Sequence, residues 1–284
     1  MFQTVINGVL MGMIFSLVAS GLALIFGVMN VVNFAQGEFL MVGMYVTYLL
    51  STTFSIDPLA AIPCALLAGF TLGLIVYYML IKHLLRGPMI AQISGTFGLM
   101  LFLRFGALAI WGPEYRKIRT GILVGQSLSW GPVKVSLPLL ASAIATVLAF
   151  LVLTWLLNKT KLGRALKATS LDPMVARLVG INTDRMRALA WGISGAAAGL
   201  AGALLANSYY VTPTVGMVFC TIAFAVVALG GFGSIEGAFW AGIIIGLVEF
   251  LAAQYVSPAY KLAFVYLVYF IVIMVRPQGL FGWE

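Results

Sequence analysis

The sequence has little charge, one histidine and two cysteines, and each shortage excludes a class of function. Asp, Glu, Lys and Arg make up 8% of its 284 residues, whereas about a quarter is usual in soluble domains. Cys64 and Cys220 lie far apart in apolar stretches and are interpreted as packing residues, so neither a disulfide nor a metal site is expected. No phosphate-binding Gly-rich motif with Lys and no intramembrane His/Asp/Cys cluster is found. We therefore expect no enzyme and no directly bound cofactor.

Apolar residues dominate what remains. They make up 62% of the chain, and the mean hydropathy is +1.09. A transmembrane helix needs about 20 such residues, and no run alternates as barrel strands do. We predict an all-α polytopic membrane protein with about eight to nine transmembrane helices, some of them broken, in a single domain over residues 1–284. The predicted spans are 4–27, 35–53, 58–81, 89–110, 137–157, 188–207, 217–231, 237–254 and 259–275.

Positive charge is concentrated in one segment, residues 158–187, which holds seven of the sixteen Lys and Arg residues. They are Lys159, Lys161, Arg164, Lys167, Arg177, Arg185 and Arg187. Short cation-rich loops stay on the cytoplasmic side of a membrane, so we predict a cytoplasmic loop. The net charge of +8 lies mainly in loops and requires no nucleic-acid partner.

The same segment contains the signals of a short helix. Asp172 before Pro173 is typical of an N-cap and a first helical residue, and Gly180 of a left-handed stop. The apolar residues between them have nothing in the loop to pack against. An ordered loop folded back on its own spans is one interpretation, and a docking element for a cytoplasmic partner is the one we favour. Residues assigned to docking are Arg164, Asp172, Val175, Leu178, Gly180 and Asn182.

Loop charge also predicts the topology. The segment 158–187 and the basic segment 82–86 must share a side, and the two spans between them allow this. The N-terminus is then outside, the C-terminus inside near Arg276, and the segment 112–136 outside. Four cations on that outer segment run against the rule, but the seven in the larger loop outweigh them.

Two apolar regions are interrupted by residues that break helices. Asn30, Asn33, Gln36 and Glu38 interrupt the first, and a glycine-rich run over 230–237 interrupts a later one. Backbone freed in this way must be buried, line a hydrated cavity or reach an interface. The side chains then either line a solute path or only satisfy the broken backbone. Candidate path residues are Asn30, Asn33, Gln36, Glu38, Ser94, Thr96, Gly231 and Ser234.

Two more ionisable residues lie within apolar helices. Glu249 is interpreted either as an interfacial, solvated side chain or as a residue of the path. For Arg104 we favour a side chain that reaches outward to the membrane surface over one that contacts a substrate carboxylate.

At the same residues the chain resembles the permease subunits of high-affinity branched-chain amino acid ABC importers, the hydrophobic amino acid uptake family. The resemblance covers nearly the whole chain. It rests on residues 33–38, on 163–165 with 180–185, on 229–234 with Gly237, and on the tail 276–282. One departure is Ile222, where relatives often place a Lys.

The resemblance implies a particular assembly in a bacterial inner membrane. Two permeases, either copies or different chains, would associate with two cytoplasmic ATPases, which use the ATP, and an extracytoplasmic binding protein would deliver the substrate. The helix after Asp172 would sit in a groove of an ATPase.

Two functions are weighed. The first is a permease that converts ATP-driven closure of partner subunits into alternating access for branched-chain or other small neutral amino acids or amides. The alternative is a self-contained channel or secondary carrier for a small neutral solute, for which a capped cytoplasmic helix has no use. A path without an intramembrane ion pair is expected to favour uncharged side chains, because a desolvated unpaired charge costs several kcal/mol.

Overall fold

The computed structural model describes residues 1–130 and 133–282, which are mostly helical. The α-helices are α1 (Phe2–Met29), α2 (Gln36–Thr53), α3 (Ile62–Val76), α4 (Lys82–Leu84), α5 (Met89–Trp111), α6 (Leu137–Lys159), α7 (Lys161–Leu171), α8 (Pro173–Leu178), α9 (Thr183–Leu205), α10 (Val215–Gly230), α11 (Ile235–Tyr255) and α12 (Lys261–Val275). A π-helical segment, Tyr77–Ile81, joins α3 to α4, and a 3₁₀ turn, Pro258–Tyr260, precedes α12.

Among the described residues, seven helical segments are long and apolar enough to cross a membrane. They contain α1, α3 with its π-helical extension, α5, α6, α9, α11 and α12. The other two predicted spans fall on α2 and α10, which have 18 and 16 residues. Helix α2 is less apolar because its first turn holds Gln36 and Glu38. A polytopic helical membrane protein with broken helices is therefore confirmed.

Helices α1 and α9 form the centre of the molecule. Within their most apolar stretches, 83% of α1 and 78% of α9 residues are buried, against 11% in α5 and 6% in α12. Helices α2, α3 and α11 pack against this pair, whereas α5 and α12 present apolar side chains outward. These outward faces suit contact with lipid or with another membrane subunit, because exposing an apolar side chain to lipid carries no free-energy penalty.

Small residues allow the central helices to approach closely. A Cβ atom on Gly12 of α1 would lie 2.7 Å from the carbonyl oxygen of Gly242 in α11. Gly195 of α9 meets Gly69 of α3 in the same way. The glycines of α9 thus serve close helix packing, as in other membrane helix pairs.

The structure adds a pair of strands to the predicted elements and moves the start of one helix. An antiparallel hairpin, β1 (Ser127–Trp130) with β2 (Val133–Ser136), was not predicted and pairs Ser127 with Ser136. Its alternation of apolar and polar residues is only four residues long in each strand, too short to be noticed within a largely helical sequence. Helix α9 begins at Thr183 rather than near 188, because Asn182 caps it within the basic segment.

Two ends of the bundle can be distinguished. Lys82 and Asp184 form an ion pair of 3.4 Å, so the basic segments 82–86 and 158–187 share one end, as predicted. At the other end, the backbone N–H of Lys134 donates to Gln3 Oε1 at 2.7 Å, so the N-terminus meets the hairpin. Thus the N-terminus and the segment 112–136 also share an end, as predicted.

Candidate functional site

The break after α1 is braced by buried amide side chains. Asn33 Oδ1 accepts the N–H of Ala35 at 3.0 Å, and Asn33 Nδ2 donates to Gln36 Oε1 at 3.0 Å. Gln36 Nε2 donates to the carbonyl of Val18 at 3.3 Å, and Ser194 Oγ of α9 donates to Gln36 Oε1 at 3.1 Å. Asn33 and Gln36 are fully buried. Their hydrogen bonds fix the start of α2 against both central helices.

A buried ion pair lies in the same first turn of α2. Arg104 of α5 donates from Nε and Nη2 to Glu38 Oε1, at 3.0 and 2.6 Å. The side chains are 1% exposed for Glu38 and 14% for Arg104. Glu38 Oε2 has no hydrogen-bond partner in the described residues and lies beside Gly216, in the first turn of α10. That turn carries partial positive charge, which favours a nearby carboxylate.

The pair overturns two expectations. The expected path without an intramembrane ion pair is wrong, because Glu38 and Arg104 neutralise each other within the apolar bundle. The outward-reaching side chain favoured for Arg104 is wrong for the same reason. Burial away from water strengthens the attraction between the two charges. It also means that each buried charge needs an oppositely charged partner and hydrogen bonds.

Glu249 is also paired rather than solvated. It is 5% exposed, and Lys261, at the start of α12, donates to Glu249 Oε1 at 2.6 Å. The Lys261 side chain is 35% exposed, so this pair reaches the edge of the bundle. The interpretation of Glu249 as a solvated side chain is therefore wrong, whereas its position at the membrane interface stays a prediction.

The remaining candidate path residues are scattered. Thr96 joins the break, because its Oγ1 donates to the carbonyl of Val32 at 3.0 Å. Ser94 is exposed on α5, and Asn30 is exposed at the C-cap of α1, with a left-handed φ of 53°. The structure thus gathers Asn33, Gln36, Glu38 and Thr96 into one junction, and leaves Ser94 and Asn30 outside it.

The second break meets the last turn of α1 and the C-terminal tail. The rings of Phe26 and Phe232 are 4.7 Å apart, and Ser234 Oγ caps α11 by accepting the N–H of Gly237 at 3.0 Å. Gly231 has a φ of 104° and contacts the tail, where the N–H of Leu280 donates to the carbonyl of Leu229 at 2.8 Å. The second break therefore contacts the last turn of α1, which leads into the first break.

Helix α8 has the predicted capped structure. Asp172 Oδ1 accepts the backbone N–H groups of Met174 and Val175, at 2.7 and 3.1 Å. Gly180 ends the turn with a φ of 85°, and Asn182 Oδ1 caps α9 by accepting the N–H of Arg185 at 3.0 Å. A further amphipathic helix, α7, precedes α8 and was not predicted, although its N-cap, Thr160, is a recognisable signal.

The α7–α8 segment exposes apolar side chains at the end of the bundle that holds the basic segments. Leu171, Met174 and Leu178 are 87%, 76% and 82% exposed. Ala176, on the opposite face of α8, is buried. Arg164 is exposed on α7. We call the outward side of residues 161–182 the apolar cap surface. The same segment also exposes four cations, Lys161, Arg164, Lys167 and Arg177, which we call its basic rim.

These features can be compared with known proteins. A family model described as branched-chain amino acid transport system, permease component, matches residues 4–274. The chain belongs to this family. The permease is thus a membrane-embedded, multi-pass transport subunit, and the self-contained channel or carrier is the less supported alternative.

Curated relatives match over nearly their whole length. The high-affinity branched-chain amino acid transport system permease protein LivH of Salmonella typhimurium is 31% identical, with 99% of this chain and 95% of the relative covered. BraD, the corresponding protein of Pseudomonas aeruginosa, is 28% identical over the same shares. A probable LivH of Methanocaldococcus jannaschii is 32% identical, with 94% and 88% covered.

A solved structure shares the fold at low identity. A chain of PsaBC from Streptococcus pneumoniae, in complex with Fab, matches with a TM-score of 0.53 and 11% identity, covering 96% of the permease and 91% of that chain. The arrangement of helices is therefore common to the two chains.

Sequence reasoning missed the partners of the permease's buried charges. Glu38 and Arg104 were named separately, but they are 66 residues apart, and no local pattern joins them. The small number of ionisable residues in the apolar stretches was a usable signal. Charges within a membrane usually pair with one another, so Glu38 and Arg104 could have been considered as partners. Ile222 is buried in the apolar core.

Proposed function

We propose that this chain is the permease subunit of an ATP-driven importer for branched-chain or other small neutral amino acids or amides. Two cytoplasmic ATPases hydrolyse the ATP, and the chain itself binds no cofactor. A second permease, either a different chain or a copy, completes the transmembrane part, and an extracytoplasmic binding protein delivers the substrate. The N-terminus and hairpin face outward, and the basic segments and the C-terminus face the cytoplasm.

Helix α8 carries this proposal. A channel or ion-driven carrier that works alone has no use for a capped helix whose apolar residues are left in water, because exposing them there is unfavourable. An ATPase groove would bury Met174 and Leu178 and meet the basic rim with acidic groups. Family membership supports an ATPase as the partner. Coupling residues are Arg164, Asp172, Val175, Leu178, Gly180 and Asn182.

The junction of α2, α5 and α10 supports a path on the face where α5 is exposed. Glu38 and Arg104 are the charges nearest this face, and Asn33, Gln36 and Thr96 hold the broken backbone behind them. Helix α5 is anchored to the broken helix by the ion pair and by Thr96, so displacement of α5 would alter the junction. The path residues are proposed to be those gathered here, with Asn30, Ser94, Gly231 and Ser234 at its margins.

The ion pair also bears on the substrate. Glu38 and Arg104 satisfy each other, so the junction offers no unpaired charge to neutralise an ionised side chain. A zwitterionic amino acid with a neutral side chain brings no excess charge, whereas glutamate or lysine would carry one into a desolvated path at a cost of several kcal/mol. The names of the relatives support the same substrate class.

Uptake into proteoliposomes tests the proposal. The permease is reconstituted with its partner subunits, and the binding protein is added outside with radiolabelled leucine, valine, a neutral amide, glutamate or lysine. We expect ATP-dependent uptake of leucine, valine or the amide. Preferential uptake of glutamate or lysine would contradict the assignment of the substrate class.

A further inference from the structure

A charged pocket lies at the end of the bundle that holds the basic segments, beside the apolar cap surface. Its volume is about 370 Å³. Its walls come from the C-terminal end of the α3–α4 helix, from Arg177 of α8 and from the first turns of α9. It is lined by Tyr77, Lys82, Leu85, Arg86, Arg177, Asp184 and Arg187. Four cations and one carboxylate therefore face the same space.

The single carboxylate is already shared. Asp184 pairs with Lys82 at 3.4 Å and with Arg177 at 3.5 Å. Within residues 1–130 and 133–282, no carboxylate lies within 4 Å of Arg86 or Arg187. The pocket thus keeps an excess of positive charge and at least two guanidinium groups without an acidic partner.

Two buried polar atoms at the pocket also have no protein partner. Tyr77 is fully buried, yet its hydroxyl makes no hydrogen bond with the described residues, and neither does Arg187 Nε. Buried polar groups are normally hydrogen-bonded, so such atoms mark a missing partner. Both groups can donate, and the cations around them donate as well. The missing partner is therefore an acceptor with several oxygens and negative charge.

The local backbone is unusual at the same place. The helix widens into the π-helical segment Tyr77–Ile81 just before Lys82, and such segments are frequent at functional sites. Ile75 and Met79, which precede Lys82 on this helix, are 52% and 75% exposed. The helix that contributes Tyr77 and Lys82 to the pocket therefore also exposes apolar side chains along its membrane-spanning part.

We propose that this pocket binds a phosphate group, supplied by the headgroup of an anionic phospholipid whose acyl chains lie along Ile75 and Met79. Arg86, Arg187 and Lys82 pair with the phosphate, and Tyr77 donates its hydroxyl. Basic pockets between membrane helices bind anionic headgroups in this way. A soluble phosphate would use the same donors but would not contact the apolar side chains exposed on the same helix, whereas a lipid can use both, which favours the lipid.

Native mass spectrometry of the purified complex tests the site. The intact complex is washed in mild detergent and its retained phospholipids are counted. We expect wild type to retain phosphatidylglycerol, and R86Q/R187Q to bind it about thirtyfold more weakly, as expected for the loss of two cations near an anionic group. The double variant K159Q/R276Q removes the same charge outside the pocket and outside residues 161–182, and should retain the lipid. R86Q alone alters an exposed side chain and should fold normally, with a smaller loss.

The source of the phosphate is decided on delipidated complex. Phosphatidylglycerol, phosphatidylcholine and inorganic phosphate are each titrated while the thermal unfolding midpoint is recorded. We expect phosphatidylglycerol to raise the midpoint in wild type and Y77F to reduce that rise. A rise with inorganic phosphate alone would retain the phosphate site and overturn the lipid as its source. Equal retention by wild type and R86Q/R187Q, or equal binding of the two lipids, would overturn the site itself.

Discussion

The buried ion pair of Glu38 and Arg104 allows a quantitative prediction. Removing one member leaves the other charged or forces it to change protonation in an apolar environment, which costs about 3 to 5 kcal/mol for a buried pair. Glu38→Gln and Arg104→Gln should each lower the free energy of unfolding of the permease by about 3 to 5 kcal/mol. The double variant removes both charges together and should recover most of the loss, because neutral isosteres at such positions are often tolerated. The coupling energy of the cycle should therefore be large.

The structure supplies an internal comparison. Lys82 and Asp184 form an ion pair whose side chains are both 38% exposed, so solvent screens it and removing either partner should cost about 0 to 1 kcal/mol. Unfolding of purified protein by stepwise addition of SDS, followed by tryptophan fluorescence, measures both cycles. The reasoning would be refuted if the single variants at Glu38 and Arg104 unfolded like wild type. It would also be refuted if the double variant lost as much stability as the two single variants added together.

Two further predictions concern packing and capping. Gly12→Ala should destabilise the permease by about 1 to 3 kcal/mol, because its Cβ would lie 2.7 Å from the backbone of Gly242. The control is Gly98→Ala, whose Cβ would meet nothing within 4 Å. It should be neutral or stabilise the permease by about 0.5 to 1 kcal/mol in the same unfolding assay. Asp172→Ala should lower uptake per ATP hydrolysed, because it removes a cap that contributes about 1 kcal/mol to a short helix, whereas Asp172→Asn should retain coupling. Equal effects of the two glycine substitutions, or full coupling in Asp172→Ala, would contradict these expectations.

Local features were predictable from the sequence, and pairings between distant residues were not. The cap at Asp172, the stop at Gly180 and the apolar spans depend on neighbouring residues, so their chemistry is visible along the chain. The pair of Glu249 with Lys261 spans 12 residues and that of Glu38 with Arg104 spans 66, and both depend on which helices pack together.

The candidate junction was predictable only in part, for the same reason. Asn33 and Gln36 were recognised as residues of a broken helix, because polar residues within an apolar run are conspicuous. Their acceptor on Val18 and donor on Ser194 come from α1 and α9, whose close packing depends on glycines spread over the chain. Conversely, Ser94 was included by residue type alone, and the structure places it on an exposed face.

The coupling of ATP hydrolysis to uptake tests the central claim most directly. In proteoliposomes that contain the permease, its ATPases and the binding protein, leucine uptake and phosphate release are measured together for wild type, Leu178→Asp and the apolar control Leu178→Met. We predict that uptake requires hydrolysable ATP and the ATPases, that Leu178→Met transports like wild type, and that Leu178→Asp inserts normally but fails to couple hydrolysis to uptake. Leucine uptake by the permease alone, or unchanged coupled uptake in Leu178→Asp, would contradict the account.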